Sequence, residues 1–211
     1  MQDLIKNMHS KRFLLIYLAV VALLLIVYMG QQISPNSDDK LKSIAPGAYQ
    51  LNAPESLPNF LLRDKQQHLY TNADLRSRWH FIYLYDGACE PHCQAIWQVL
   101  SNLADRFAGQ QLGFWVIDAS QQQQLFNTSP ALPGNVQIIC DPNGDHPLRQ
   151  FFAGPQGVDA LMTTIFLINP NGQWQAAFRA PYTSVLLQRW YLQLRRAFAN
   201  APKQGSDPMP G

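Results

Sequence analysis

Charge is scarce in this chain, and the small excess that exists lies at the N-terminus. Only 14% of the 211 residues are charged, and the formal net charge is +2. Lys6, Lys11 and Arg12 against Asp3 account for the whole of that excess. The remainder is formally neutral, so it lacks the basic surface with which proteins bind nucleic acid. We therefore exclude a nucleic-acid partner.

Motifs that would indicate other chemistries are also missing. The chain has three cysteines and no second Cys or His pair at zinc-ligand spacing, which argues against a structural zinc site. It contains no glycine-rich phosphate loop and no arrangement of Ser, His and Asp typical of a hydrolase. What remains for chemistry is one pair of cysteines, Cys89 and Cys93, in the stretch YLYDGACEPHCQ.

One long apolar run is present near the N-terminus. Phe13 to Met29 reads FLLIYLAVVALLLIVYM and contains no charged residue. As a helix it would be about 26 Å long, close to the thickness of the hydrocarbon core of a membrane. A cleaved signal peptide is the alternative, but no small-residue cleavage site follows the run. We predict an uncleaved transmembrane anchor over residues 13–30, with residues 1–12 in the cytoplasm.

The charges that flank this run predict its orientation. Basic residues precede it, whereas Asp38 and Asp39 follow it. Because basic flanks stay in the cytoplasm, the rest of the chain is expected on the other side, which in a bacterium is the periplasm. Thiols can be oxidised there. The predicted localisation is therefore the bacterial inner membrane, single-pass, with a periplasmic C-terminal domain.

Beyond the anchor, composition divides the chain into three parts. Residues 31–57 are rich in Ser, Asn, Asp and Pro, show little periodicity and are predicted to form a periplasmic linker. Residues 58–199 carry the apolar patterns of a folded domain. Residues 200–211 are predicted to be a disordered tail.

Within the folded domain, strand patterns alternate with helix patterns. NFLLRDKQQHLYTNADL indicates two short strands and a helical turn, and HFIYLY, LGFWVIDA and VQIIC indicate buried strands. Cys93 to Phe107 has apolar residues at three- and four-residue spacing, which indicates a helix, and PLRQFFAG indicates a short helix ending at Gly154. TTIFLINPNGQWQAAFRA predicts a hairpin and SVLLQRWYLQLRRAF a closing helix. This order predicts an α/β fold with a central mixed sheet flanked by helices.

Cys89 and Cys93 fall where the first central strand passes into its helix, at the strand end where open α/β sheets carry their chemistry. If the helix begins near Glu90 or Pro91, the two cysteines lie on one side of its first turn. The partial positive charge of a helix N-terminus stabilises a thiolate over a thiol. This placement favours thiol–disulfide exchange or binding of Cu(I), a soft ion that prefers sulfur. A stapling disulfide is the structural alternative, although so small a loop would stabilise the fold little.

Cys140 is the third cysteine, at the end of the apolar run VQIIC. A third thiol could resolve a disulfide or capture a metal ion. A lone cysteine on a buried strand, however, ordinarily serves as a small apolar side chain, and we predict that role for Cys140.

The segment NFLLRDKQQHLYTNADLRSRWHFIYLYDGACEPHC resembles the opening of the SCO/SenC proteins, membrane-anchored members of the thioredoxin superfamily. FWVIDAS and TTIFLINPNGQWQAAF are similar to the later strands and the closing hairpin of that family. The resemblance covers most of Pro58 to Phe198 and the anchor. It implies a thioredoxin-like fold and a function in assembly of cytochrome c oxidase, where family members bind copper or keep thiols reduced for the copper centre of subunit II. It also implies that Cys89 and Cys93 are the copper-binding or redox-active pair, with subunit II or another assembly factor as the partner.

The sequence departs from this family at the third copper ligand. The family's ligand histidine comes shortly before the closing hairpin, whereas the matching stretch here is Leu161-Met162-Thr163. Met162 carries a thioether and His92, between the two cysteines, carries an imidazole. We take both as candidate donors to Cu(I).

Two functions remain open. In the first, the protein assists oxidase biogenesis by thiol–disulfide exchange or Cu(I) handling, as an oxidoreductase or metallochaperone rather than a turnover enzyme. In the second, it is a non-catalytic thioredoxin-fold interaction module in oxidase assembly. The missing histidine favours the second.

Overall fold

The computed structural model describes residues 20–21, 41–87, 92–120, 123, 125–126, 136–156, 161 and 163–201, with only the backbone of residues 92, 93, 155 and 156. Strands and helices alternate along most of these ranges. A short 3-10 helix, Asn72–Leu75, separates β4 from β5. The strands are β1 (Leu41–Ala45), β2 (Ala48–Ser56), β3 (Leu62–Arg63), β4 (Leu69–Tyr70), β5 (Trp79–Tyr85), β6 (Leu112–Asp118), β7 (Val136–Cys140), β8 (Thr164–Ile168) and β9 (Gln173–Arg179), and the helices are α1 (His92–Arg106), α2 (Pro147–Gln156) and α3 (Ser184–Asn200).

These strands form one sheet in the order β1-β2-β9-β8-β5-β6-β7-β3-β4. At its centre β5, β6 and β7 run parallel. The hairpin of β8 and β9 pairs antiparallel with β5 on one side, and β3 pairs antiparallel with β7 on the other. The predicted α/β fold with a central mixed sheet is therefore confirmed.

Side chains of β5 enter two apolar cores, one on each face of the sheet. Phe81 and Tyr83 pack in the core that also contains residues of α1 and α3. Ile82 and Leu84 pack in the other core, together with residues of α2. Because both faces of a central strand are covered, its sequence is a continuous apolar run rather than an alternating one.

The predicted linker is too long, because residues 41–56 belong to the sheet. β1 and β2 form a hairpin, and β2 pairs with β9. The turn contains Gly47 at φ = 78°, where an added Cβ would lie 2.7 Å from the carbonyl oxygen of Arg179. The register of β2 shifts between Gln50 and Glu55, which interrupts the alternation of apolar and polar side chains. Because of this irregularity, the sequence shows no clear strand pattern here. The sheet begins at β1 and not near Pro58.

The short elements before β5 agree with the prediction. β3 and β4 pair antiparallel, and Thr71 caps the 3-10 helix that follows. The Thr71 backbone N–H donates to the Asp74 carboxylate at 2.8 Å, while the Ala73 N–H donates to the Thr71 hydroxyl at 3.3 Å. These reciprocal bonds satisfy backbone donors that the start of a helix leaves unpaired.

Helix α2 is longer than predicted, since it continues past Gly154 to Gln156. A glycine inside a helix costs only about 1 kcal/mol relative to alanine. Phe152 from this helix is fully buried and stacks on Phe166 at a centroid distance of 4.0 Å. Burial of such a side chain outweighs the helix propensity of one glycine.

The predicted anchor lies outside the described residues except for Val20 and Val21, which are helical. Within the described ranges, no helix is both long and apolar enough to cross a membrane. The anchor, the cytoplasmic N-terminus and the tail beyond residue 201 stay predictions.

Candidate functional site

The candidate site is the connection between β5, which ends at Tyr85, and α1, which begins at His92. Cys93 is the second residue of α1, so its backbone lies in the first turn, where the helix dipole is positive. Cys89, Met162 and the side chains of His92 and Cys93 lie outside the described part of the structure. The roles assigned to these residues therefore stay predictions.

The parallel strands bring three residues into one row at this edge of the sheet. Tyr85 of β5 is in register with Asp118 of β6, which is in register with Cys140 of β7. At about 4.8 Å between strands, Cys140 lies about 10 Å from the end of β5. Cys140 is fully buried with a free thiol, which confirms the prediction that it lies on a buried strand. Burial raises the pKa of this thiol, and the Arg63 guanidinium acts in the opposite direction.

Asp118 holds the segment that follows β6. Its carboxylate is fully buried and accepts hydrogen bonds from the Ser120 N–H at 3.0 Å, the Ser120 hydroxyl at 2.6 Å and the Phe126 N–H at 2.8 Å. The Ala119 N–H also donates to the Tyr85 carbonyl at 2.7 Å, which ties this segment to the end of β5. Asp118 was not among the predicted site residues, although an Asp at the end of a strand often forms an Asx turn with the backbone two residues further on.

Buried and half-buried aromatic side chains pack with α1 near this edge. The ring of Tyr85 packs against Trp97 of α1 at a centroid distance of 6.2 Å. Tyr83 is fully buried, and burial, with a smaller contribution from Asp86, raises its pKa. Burial likewise raises the pKa of Tyr182, whose hydroxyl has no hydrogen-bond partner in the described part of the chain. Both phenols therefore stay neutral, and the low polarity around them strengthens any electrostatic interaction between the helix N-terminus and a nearby thiolate.

The start of β8 and the end of β9 lie beside the end of β5. Tyr83 is in register with Ile165, so the residues before β8 lie beside the end of β5. Thr163, next to the predicted donor Met162, accepts a hydrogen bond at 3.2 Å from the backbone N–H of Ala180. The peptide bond between Ala180 and Pro181 is cis. This bond was not among the predicted features, although an X–Pro bond is the kind of peptide bond in which the cis form is common.

The sequence of the folded domain matches a known protein family. A model of the AhpC/TSA family matches residues 54–177, more than half of the chain. The chain belongs to the AhpC/TSA family. No curated protein sequence matches it.

Three solved structures illustrate what this AhpC/TSA protein is similar to. Copper-bound yeast Sco1 is 16% identical with a TM-score of 0.54, over 72% of this chain and 100% of that chain. A thio-disulfide isomerase from Thermus thermophilus is 19% identical with a TM-score of 0.54, over 68% of this chain and 97% of that chain. BsSco, from the Sco family of cytochrome c oxidase assembly proteins, is 10% identical with a TM-score of 0.52, over 70% of this chain and 95% of that chain. At these identities the likeness is one of fold, and the predicted resemblance to the SCO/SenC proteins is confirmed at that level.

The described residues of this AhpC/TSA protein do not supply a copper site by themselves. They contain no group of three His, Cys, Asp or Glu side chains placed to hold a metal ion. The stretch before β8, where the SCO resemblance implies a histidine, has Leu161 and Thr163 on either side of Met162. The donors predicted from the sequence, which are the cysteine pair with Met162 or His92, are not among these described side chains, so a Cu(I) site there stays a prediction.

Proposed function

We propose that this protein is an inner-membrane-anchored, periplasmic factor that assists cytochrome c oxidase biogenesis through Cys89 and Cys93. One observation carries the proposal. Cys93 lies in the first turn of the helix that follows the central strand of a thioredoxin-like sheet, and this fold is shared with yeast Sco1 and BsSco. The client is subunit II of the oxidase or another assembly factor. The anchor over residues 13–30 keeps the domain at the membrane where the oxidase is assembled.

In thiol–disulfide exchange, the thiolate of Cys89 attacks one sulfur of a disulfide in the client. A mixed disulfide forms, and the other client sulfur leaves as a thiolate. Cys93 then attacks the Cys89 sulfur, which closes an intramolecular disulfide and releases the second client thiolate. The client gains two electrons, the pair loses two, and a dithiol reductant in the same compartment restores the pair. The helix N-terminus favours these steps because it stabilises thiolate.

The same pair can carry Cu(I) as cargo. Binding requires loss of the thiol protons, which the helix N-terminus promotes. His92 and Met162 are the candidate third donors in place of the missing histidine. A client whose cysteines are kept reduced would then accept the ion by ligand exchange.

Replacing both cysteines with serine tests the proposal. In cells that make the variant, we expect lower oxidase activity in membranes and less copper in the oxidase. Cys140→Ala is the matched control, since it removes a thiol that is buried away from solvent. Normal oxidase assembly and copper content in the double variant would contradict the proposal.

The second candidate is a non-catalytic interaction module in oxidase assembly. It is favoured by the stretch before β8, which has Leu161 and Thr163 and lacks the histidine that the SCO resemblance implies. Anaerobic titration with Cu(I) and measurement of the reduction potential of the pair separate the two. No bound Cu(I) and a potential below about −300 mV, typical of a structural disulfide, would favour the module. Cu(I) binding that depends on both cysteines, or a higher potential, would favour the first function.

A further inference from the structure

A second site lies at the opposite end of the central strands. A cavity of about 630 Å³ opens there, within the size range of small-molecule pockets. Its walls come from the residues that precede β5 and β6, from the end of the β8–β9 connection and from one side of α3. The lining residues are Ser77, Arg78, Trp79, Gln110, Gln111, Leu112, Pro170, Tyr191 and Arg195.

This cavity is separate from the cysteine connection. Trp79 is the first residue of β5 and Tyr85 is the last. At about 3.3 Å per residue, the two ends of that strand are about 20 Å apart. A ligand in the cavity would not touch the thiol pair, so this inference is independent of the proposed function.

The cavity has an unbalanced positive charge. Arg78 and Arg195 line it, and the lining residues that the structure describes include no Asp or Glu. Neither guanidinium is paired with a carboxylate within the described ranges. Arg195 lies near the phenol of the buried Tyr191, which lines the same cavity, and it partly offsets the effect of burial, which raises the pKa of that phenol. Two guanidinium groups that line one cavity without a carboxylate partner favour an anion as its occupant.

The rim of the cavity is preformed. Ser77 has φ = 71°, a backbone conformation that side chains other than glycine rarely adopt. The conformation is held by a hydrogen bond of 2.8 Å from the Ser77 N–H to the carbonyl oxygen of Pro170 on the facing wall. Left-handed backbone at a non-glycine residue costs about 1 kcal/mol or more and tends to occur at ligand sites. Because Arg78 is the next residue, the fixed backbone of Ser77 also fixes where the backbone of Arg78 begins.

We propose that this cavity binds a phosphate ester, with the phosphate between Arg78 and Arg195 and the organic part against Trp79. The two glutamines on the wall, Gln110 and Gln111, can also donate hydrogen bonds. A phosphate monoester offers these donors three terminal acceptor oxygens, and a phosphodiester offers two terminal oxygens besides its ester oxygens, whereas a carboxylate has two oxygens in all. Trp79 and Leu112 provide an apolar surface beside them. The same chemistry belongs to a soluble phosphate monoester and to the phosphate headgroup of an anionic lipid.

Isothermal titration calorimetry on the full chain in a neutral detergent tests the proposal. Phenyl phosphate is the probe for a monoester and dihexanoyl-phosphatidylglycerol the probe for a lipid headgroup, with ionic strength held constant by chloride. We expect saturable binding of at least one probe. Arg78→Gln and Arg195→Gln should each weaken it about 10- to 100-fold, because each removes charge-assisted hydrogen bonds.

The matched control is Arg196→Gln, which removes the same charge from the next, exposed position of α3 without touching the cavity wall. Gln110→Glu, at an exposed position on the rim, places a negative charge at the site should the arginine variants fold poorly. It should also weaken binding. Tighter binding of one probe identifies the source of the phosphate, provided that the cavity variants weaken it.

Absence of saturable binding to both probes would overturn the proposal. An equal loss in Arg196→Gln would overturn it as well, since that result would mean general electrostatic attraction rather than a site.

Discussion

The buried imidazole of His80 should make the folded state sensitive to mild acid. His80 is fully buried in β5, and neither ring nitrogen makes a well-formed hydrogen bond within the described residues. Its ring packs edge-on against Trp115 at a centroid distance of 4.9 Å. The ring fits there because Gly113 has no side chain, and an added Cβ at Gly113 would overlap it. Burial, helped by the charge of Arg78 and weakly opposed by Asp74, lowers the pKa of His80 to about 3.

The size of the effect follows from the two pKa values of His80. In the unfolded chain the imidazole has its ordinary pKa of about 6.5, so it takes up a proton as the pH falls below that value. In the folded protein the imidazole stays neutral until about pH 3. The unfolded state therefore binds more protons between these values, and stability falls with pH. Between pH 7 and pH 5 the loss is about 2 kcal/mol from this one residue.

Urea denaturation of the full chain and of His80→Leu at pH 7 and pH 5 measures this effect. At pH 7 the variant should be about as stable as the parent, because an unpartnered polar group is replaced by an apolar one. At pH 5 the parent should have lost about 2 kcal/mol more than the variant. His68→Gln is the control, since the side chain of His68 is 75% exposed, and it should change the pH dependence by less than about 0.5 kcal/mol. Equal losses of stability in the parent and in His80→Leu would refute the reasoning.

Two other side chains near the cysteine connection give further predictions. Asp118→Asn should lower the free energy of unfolding by about 2 to 3 kcal/mol, because an amide cannot accept all three buried hydrogen bonds and leaves a donor such as the Phe126 N–H unpaired. Urea denaturation checks this, and a change below about 0.5 kcal/mol would contradict it. In a variant whose other two cysteines are serine, Cys140 should resist iodoacetamide in the native state and react in urea, because burial excludes the reagent and raises the pKa of the thiol. Rapid native labelling, followed by mass spectrometry, would show that the thiol is accessible.

The central strands and α1 could be predicted because local sequence and environment agree there. The strands β5 and β6 are apolar on both faces, and α1 has apolar residues at helical spacing that pack on the sheet. The hairpin of β1 and β2 could not be predicted in the same way. Its strands lie at the edge of the sheet, are largely exposed and contain a register shift, so they carry no clear period.

The location of the candidate site was also predictable, since the cysteine pair follows a strand pattern and opens a helix pattern. Its surroundings were not. Asp118, Tyr182 and the start of β8 come from different parts of the chain, and the pairing of the strands brings these parts to one edge. The same holds for the cavity at the opposite end, where Arg78 and Arg195 meet although they are far apart in sequence.

By itself, the sequence determined the order of the central elements, the α/β class and the position of Cys93 at the start of a helix. These depend on residues that are neighbours along the chain, where spacing and propensity suffice. Only the tertiary structure decided which polar groups are buried, which of them have partners and which charges share a cavity. The reason is that desolvation and Coulomb interactions depend on distance in space, and strand pairing sets that distance.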